Sequence, residues 1–305
     1  MIRLLLLNAS VAALTGCALF SPGVSRPEWR VVAARSGDQL ERREVREPVP
    51  GEPGDGAAVY SFLVSAASVD CGGPGWRPTY DVERHPAEFA ATRQPDRLRR
   101  RGEGAQPGEL IGIPAFEYGR ALPSPDGRLV AVACREWPES EWNVWVMQPD
   151  GGEPAFLHAG REPAWLEAKT VLFVAPASAE PGARLAVWAM RLDGSGLRLV
   201  VRDPQADCLQ PAVSRDGRRL AFVKERGGAP ETRDVWLCEL ADGRQTELTM
   251  NPSRDDLPRF GADDKHVYFR STRGGDWGVW GLPVAAAAAA VPATPESAGG
   301  AAAGQ

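Results

Sequence analysis

Short runs in which almost every position is apolar recur along the second half of this chain, separated by polar turn phrases. Leu129-Val130-Ala131-Val132 follows Ser124-Pro125-Asp126-Gly127, Leu220-Ala221-Phe222-Val223 follows Ser214-Arg215-Asp216-Gly217, and Val267-Tyr268-Phe269 follows Gly261-Ala262-Asp263-Asp264. A version one residue shorter runs from Leu166 to Phe173. Apolar runs this short, bounded by Gly, Pro, Asp and Ser, predict β-strands. Downstream of each stands a Val-Trp pair, at Val144-Trp145, Val187-Trp188, Val235-Trp236 and Val279-Trp280, the tryptophans 43, 48 and 44 residues apart. The first three pairs are followed by a second turn, Asp150-Gly151, Asp193-Gly194 or Asp242-Gly243, and by a further short run at Phe156-Leu157, Leu197 to Val201 or Thr246 to Leu248.

Asp-Gly suits tight hairpins because glycine, and tolerably Asp, accept positive φ, which twists the turn in the sense that the flanking strands need. Each unit therefore reads as a small antiparallel sheet of four strands. Both faces of that sheet are apolar: Leu220 and Phe222 alternate with Ala221 and Val223, and Val235 and Leu237 with Trp236. A sheet greasy on both sides must be sandwiched between neighbours, and a repeat of roughly 40 to 50 residues with four strands describes a propeller blade. The expected fold is all-β, a β-propeller of four-stranded antiparallel blades, with the repeated tryptophans packing between blades.

Length and composition fit this reading. At 305 residues, 43% hydrophobic and 25% charged, the chain is long enough for a sizeable core. Its 33 glycines and 27 prolines suit many short strands and turns.

The N-terminus carries a different signal. Met1-Ile2-Arg3, then Leu4 to Leu7 and an Ala/Val-rich run to Leu14, reads as a signal peptide too brief for a permanent membrane helix. It ends in Leu14-Thr15-Gly16-Cys17, which resembles the bacterial lipobox; the alternative is an ordinary signal peptide with an incidental cysteine. The resemblance implies cleavage after residue 16, lipidation of Cys17 and durable membrane attachment. With Ala18 next, it implies an outer-membrane lipoprotein facing the periplasm or the cell surface.

Removing residues 1–16 takes away Arg3 and no acid, leaving 34 basic against 40 acidic groups, a net charge of −6. That balance argues against a nucleic-acid partner, which calls for a basic stripe. The one basic run, Arg97, Arg99, Arg100 and Arg101, reads as a solvated loop face. Cys71, Cys134, Cys208 and Cys238 are an even number in an oxidising compartment and allow three pairings, although Cys238 reads more simply as a buried free thiol. No Cys-x-x-Cys, phosphate loop or serine-hydrolase elbow is present, and His85, His158 and His266 have no metal-ligand spacing. No catalytic residue, metal or cofactor is therefore assigned.

The phrases Leu122 to Gly127, Gln210 to Phe222 and Leu248 to Pro258 resemble the WD40-like repeats of the TolB β-propeller family, over residues 120–284. In that family an Asp three residues before a Pro begins each innermost strand, as Asp255 precedes Pro258. Here Cys208 and Gly160 stand at the matching positions before Pro211 and Pro163. The resemblance implies five or six blades, six being preferred. The last copy ends at Val284 without a fourth strand, so Glu28 to Ala33 is expected to close it from the N-terminus. The organisation is then a leader (1–16), a linker (17–26), a propeller (27–284) and an Ala/Pro/Gly tail (285–305) expected to be disordered. Within the propeller, residues 27–35 form the closing strand and 36–119 the diverged blades, with strands at Val59 to Val64 and Leu110 to Ile113; 120–284 hold the four clear repeats.

Loops entering the innermost strands should ring the channel mouth. They nominate Arg161, Glu162, Asp207, Arg254, Asp255 and Asp256 for binding a partner, or else as caps of the strand entrances. The functional expectation is a lipid-anchored envelope scaffold that binds another protein. A small-ligand or glycan binder and a metal-dependent lactonase or esterase are the alternatives.

Overall fold

The computed structural model describes residues 29–33, 41–47, 58–64, 69–72, 80–83, 96–100, 109–112, 115, 117–136, 140–250, 252–261, 264–273 and 277–284. The leader, Cys17, the linker, His85, Gly51 to Gly56 and the tail from Ala285 lie outside them.

Every sheet in this part of the molecule is antiparallel. Strand β1 (Trp29–Ala33) is followed by two three-stranded sheets, β2 (Glu41–Glu47), β3 (Ala58–Val64) and β4 (Val69–Gly72), then β5 (Tyr80–Glu83), β6 (Arg97–Arg100) and β7 (Glu109–Ile111). Four-stranded sheets come next. One holds β8 (Glu117–Pro123), β9 (Val130–Arg135), β10 (Asn143–Met147) and β11 (Ala155–Ala159). The next holds β12 (Arg161–Glu167), β13 (Thr170–Pro176), β14 (Leu185–Arg191) and β15 (Arg198–Val201). It is followed by β16 (Ala206–Val213), β17 (Arg219–Arg226), β18 (Asp234–Glu239) and β19 (Gln245–Glu247). The last comprises β20 (Asp255–Phe260), β21 (His266–Ser271) and β22 (Gly278–Pro283), completed by β1 in the order β1-β22-β21-β20. Trp29 faces Gly281 and Arg30 faces Trp280, so the N-terminal strand closes the final blade. The architecture is a propeller, with four four-stranded and two three-stranded sheets among the described residues.

The turns work as their residues dictate. Ser124 Oγ donates to Asp126 Oδ1 at 2.6 Å and accepts from the Leu129 N–H at 3.0 Å, while Gly127 sits at φ +69°. Ser214 repeats both bonds, to Asp216 at 2.6 Å and from Arg219 N–H at 2.9 Å. Asp126 and Asp216 are held below the usual carboxylate range chiefly by these serine hydrogen bonds.

The core lies between sheets. One cluster joins Leu172, Val174 and Val187 of one blade to Leu209, Leu220 and Phe222 of the next, all buried. Burying a side chain such as Phe222 contributes about 1.5–3 kcal/mol, and the two-faced apolar pattern repeats this at every junction. Trp145, Trp188, Trp236 and Trp280 each pack against such a cluster shared with the preceding blade. Lys224 Nζ lies 3.7 Å over the Trp236 ring and 2.9 Å from Asp203, which satisfies an otherwise costly buried cation.

Two expectations change. The basic run is strand β6, with Leu98 in the core between exposed Arg97 and half-buried Arg99: one apolar residue amid cations is enough to seat a strand. Cys134, Cys208 and Cys238 are buried free thiols, and burial pushes the first two up to about 12 and Cys238 up to about 11, so all three are inert.

Candidate functional site

Strands β8, β12, β16 and β20 run along the inner edges of successive sheets, and all four share one irregularity. The pairing with the second strand of each blade slips between Tyr118 and Ala121, Arg161 and Ala164, Leu209 and Ala212, and Asp256 and Arg259. In three of these bulges the residue before proline is left-handed: Glu162 at φ +54°, Gln210 at +53° and Leu257 at +56°. Each such residue costs about 1–3 kcal/mol and persists only where its surroundings over-determine it. The surroundings here are hydrogen bonds from blade to blade. The Glu162 carboxylate accepts the Gln210 N–H at 2.6 Å, and Gln210 Oε1 accepts the Leu257 N–H at 2.7 Å. A bulge re-aims a side chain, and here it turns the bulged residues toward the axis of the ring.

These strands enclose a cavity of about 270 Å3. Among the described residues its lining includes Arg120, Arg161, Arg233, Arg254, Arg259 and Arg270, one acid, Glu162, and one aromatic, Trp142. Behind the wall Asp256, 0% exposed, is shared among three guanidiniums. Arg270 reaches it at 2.8 and 2.9 Å, Arg254 at 2.8 and 2.7 Å, and Arg233 at 3.6 Å. Arg233 also pairs with Glu225 at 2.5 Å. Arg254 and Arg270 stack against Trp277, at 5.1 and 4.2 Å from its centroid. Arg161 differs from the rest: among the described residues its guanidinium makes no hydrogen bond or ion pair, and its Nε is buried.

The residues nominated at the channel mouth fall into three groups. Arg161, Glu162 and Arg254 line the cavity. Asp255 and Asp256 lie on the innermost strand β20 but are fully buried, Asp255 ion-paired with Arg273 at 2.5 Å. Asp207 stands apart, where its Oδ1 accepts the Leu185 N–H at 2.8 Å and Arg184 approaches to 3.6 Å, tying one blade to the next. At the position of the family's strand-opening Asp, Gly160 is required: a Cβ there would lie 2.8 Å from the Val174 carbonyl oxygen. Gln210, Arg120, Arg233, Arg259 and Arg270 were not nominated. The recurring pairs Glu162-Pro163, Gln210-Pro211 and Leu257-Pro258 carry a signal for the bulged ring, whereas the arginines come from different strands with no common spacing.

A second polar cluster lies at the outer end of this wall. Asp234, buried beside Asp255 and Glu247, accepts from Thr249 Oγ1 at 3.5 Å, and burial with those two neighbouring carboxylates pushes it up to about 7. His158 is half-buried, its Nδ1 2.6 Å from the Ala159 carbonyl and its ring against Phe173, which is a packing role. Among the described residues no group of His, Cys, Asp and Glu is placed to hold a metal ion.

No known family profile matches the chain, and no curated protein is similar to it in sequence. Solved structures are similar. A prolyl endopeptidase aligns at TM-score 0.50 and 18% identity, over 76% of this chain and 33% of its own. A protein assigned as TolB from Agrobacterium tumefaciens aligns at TM-score 0.47 and 17% identity, over 59% of this chain and 63% of its own. TolB from Acinetobacter baumannii aligns at TM-score 0.38 and 14% identity, over 80% of this chain and 79% of its own. The chain thus spans a third of the endopeptidase and less than two thirds of the first TolB protein. At 18% identity the likeness to the endopeptidase concerns architecture alone, and with the sheet order above it establishes what the chain is in fold: a β-propeller.

Proposed function

We propose that this propeller is a lipid-anchored envelope scaffold that binds another envelope protein through the mouth of its channel. The observation that supports the reading is the cavity among the four innermost strands, lined by Arg161, Glu162 and Arg254 and held in shape by the hydrogen-bonded bulges at Glu162, Gln210 and Leu257. A structure that maintains three left-handed residues at one rim is pre-organised there, and pre-organisation lowers the cost of binding. Asp207, Asp255 and Asp256 act from behind, holding the blades and the arginines in place. Cys17 carries the lipid and places the channel in the periplasm or at the cell surface. With one aromatic and six arginines on the lining, the cavity suits a polar protein segment better than a glycan, which calls for stacking faces.

The test is photo-cross-linking in intact envelopes from a probe residue at Trp142 or Arg259, with outer-edge Leu197 as control. The expected result is a discrete adduct from the mouth positions and none from the control. Identical patterns from mouth and edge would refute the reading. The anchor is tested separately: incorporation of labelled fatty acid should be abolished by Cys17→Ser.

A further inference from the structure

The chain as a whole is acidic, with a formal net charge of −5, yet among the described residues its channel cavity is lined by six guanidinium groups and one carboxylate. Even with Asp256 and Glu225 behind the wall included, cations outnumber anions. Such segregation concentrates a positive field inside a low-dielectric recess, where each charge acts more strongly than on an open surface. The backbone donors are already engaged, because the Gln210 and Leu257 N–H groups point into neighbouring side chains. The donors left for a ligand are therefore arginine N–H groups, above all those of Arg161, whose buried Nε lacks a partner among the described residues. An unsatisfied buried cationic donor is costly unless something completes it.

Asp256 shows what completes this set of groups: one planar carboxylate taken by two guanidiniums at 2.7 to 2.9 Å and a third at 3.6 Å. A second carboxylate entering from the mouth would meet Arg161 with the same fork geometry. At about 270 Å3 the recess is small. It has room for about nine waters at roughly 30 Å3 each, hence for one or two short side chains. We infer that the cavity is a carboxylate subsite that takes an Asp or Glu side chain from an acidic segment of the protein partner. This inference rests on the partner-binding reading and adds the chemistry of what enters. Nucleic acid is a poor fit, since the rest of the surface repels a polyanion.

The experiment titrates the full chain, in detergent, with two blocked pentapeptides of alanine at both ends and three central residues, acidic in one and the corresponding amides in the other. The acidic peptide should bind and the amide peptide should not. Affinity should fall about tenfold or more between 50 and 300 mM salt, as expected when charged pairs supply the binding. Arg161→Gln should weaken binding by about tenfold, the value of one charge-assisted pair, with the thermal midpoint no lower than the parent's, because among the described residues the Arg161 guanidinium has no partner to lose. Glu162→Gln, which removes the opposing carboxylate, should tighten it. Equal binding of the two peptides, or an Arg161→Gln variant that binds the acidic peptide normally, would overturn the inference. So would inorganic phosphate or citrate binding as tightly as the peptide with the same Arg161 dependence, which would make the recess a small-anion site. If mouth cross-links form but ignore both salt and Arg161→Gln, the carboxylate subsite falls while partner binding stands; acidic-peptide binding without any cross-link gives the reverse.

Discussion

Replacing Asp256 by alanine removes the single carboxylate on which Arg254, Arg270 and Arg233 converge. Its side chain is 0% exposed, and that of Arg270 only 9%. Removing one member of a buried pair leaves the other charge desolvated, at a cost of about 3–5 kcal/mol. Part of that cost is relieved here. Arg254 is 29% exposed and Arg233 keeps Glu225, so both retain other ways to be solvated or paired. Arg270 is the least exposed of the three, and about 3–4 kcal/mol is the expected loss. In a chain of this size each kcal/mol moves the thermal midpoint by about 2–4 °C, so Asp256→Ala should melt about 10 °C below the parent. Scanning calorimetry reads this directly. The same logic gives an opposite expectation for the double variant Asp256→Leu with Arg270→Met: with neither charge buried, most of the midpoint should return, because a hydrophobic pair of similar volume tolerates the site. A drop of less than 2 °C for the single change, or a double variant worse than the single, would refute the claim that Asp256 serves to neutralise the arginine wall.

Other expectations follow from the same geometry. Asp234 has a folded-state value of about 7 against an ordinary 3.8, raised by burial first and by Asp255 and Glu247 after it. The folded state therefore keeps a proton that the unfolded state gives up, and this group's contribution to stability falls as pH rises from about 4 to 7. Asp234→Asn should melt above the parent at pH 8 with the advantage shrinking toward pH 4; a difference independent of pH in matched melting curves would contradict this. Gly160→Ala, which places a Cβ 2.8 Å from the Val174 oxygen, should cost more in urea denaturation than Gly127→Ala, whose added Cβ meets open space and bears only the penalty of positive φ, about 1 kcal/mol. Gln210→Ala should cost about 1–3 kcal/mol by stranding the Leu257 N–H and should speed amide exchange at Leu257, while Gln210→Glu, which keeps the acceptor, should not. Equal exchange in the two variants would remove Gln210 from the ring.

The blades were legible in the sequence because their signals are local. A turn such as Ser124-Pro125-Asp126-Gly127 folds on hydrogen bonds within five residues, and an all-apolar run such as Leu220 to Val223 can only be a strand covered on both sides. The closing strand was legible for a different reason: the last repeat ends one strand short, and an unpaired edge demands a partner. The channel was only half legible. Arg161, Glu162 and Arg254 stand next to recognisable strand entrances, but Arg233 reaches the same cavity from just ahead of β18 and Arg270 from β21, and only the folded propeller makes them neighbours. Asp255 and Asp256 read as partner-binding or capping residues of the mouth because their neutralising partners, Arg273 and Arg270, are 18 and 14 positions away. Arg97 to Arg100 read as a loop because a lone Leu98 leaves no alternation to detect.

The pairing of Trp29 to Ala33 with Gly278 to Gly281 also bears on how the ring is assembled. Strand β1 cannot be seated until its mate β22 has been made, about 250 positions later. Until then the earliest segment has to stay available without annealing to another chain's bare edge, and every blade between must already be stacked. Closure of the last blade accordingly waits for β22, and a cut through Val32 would break the pairing that joins the two ends of the propeller.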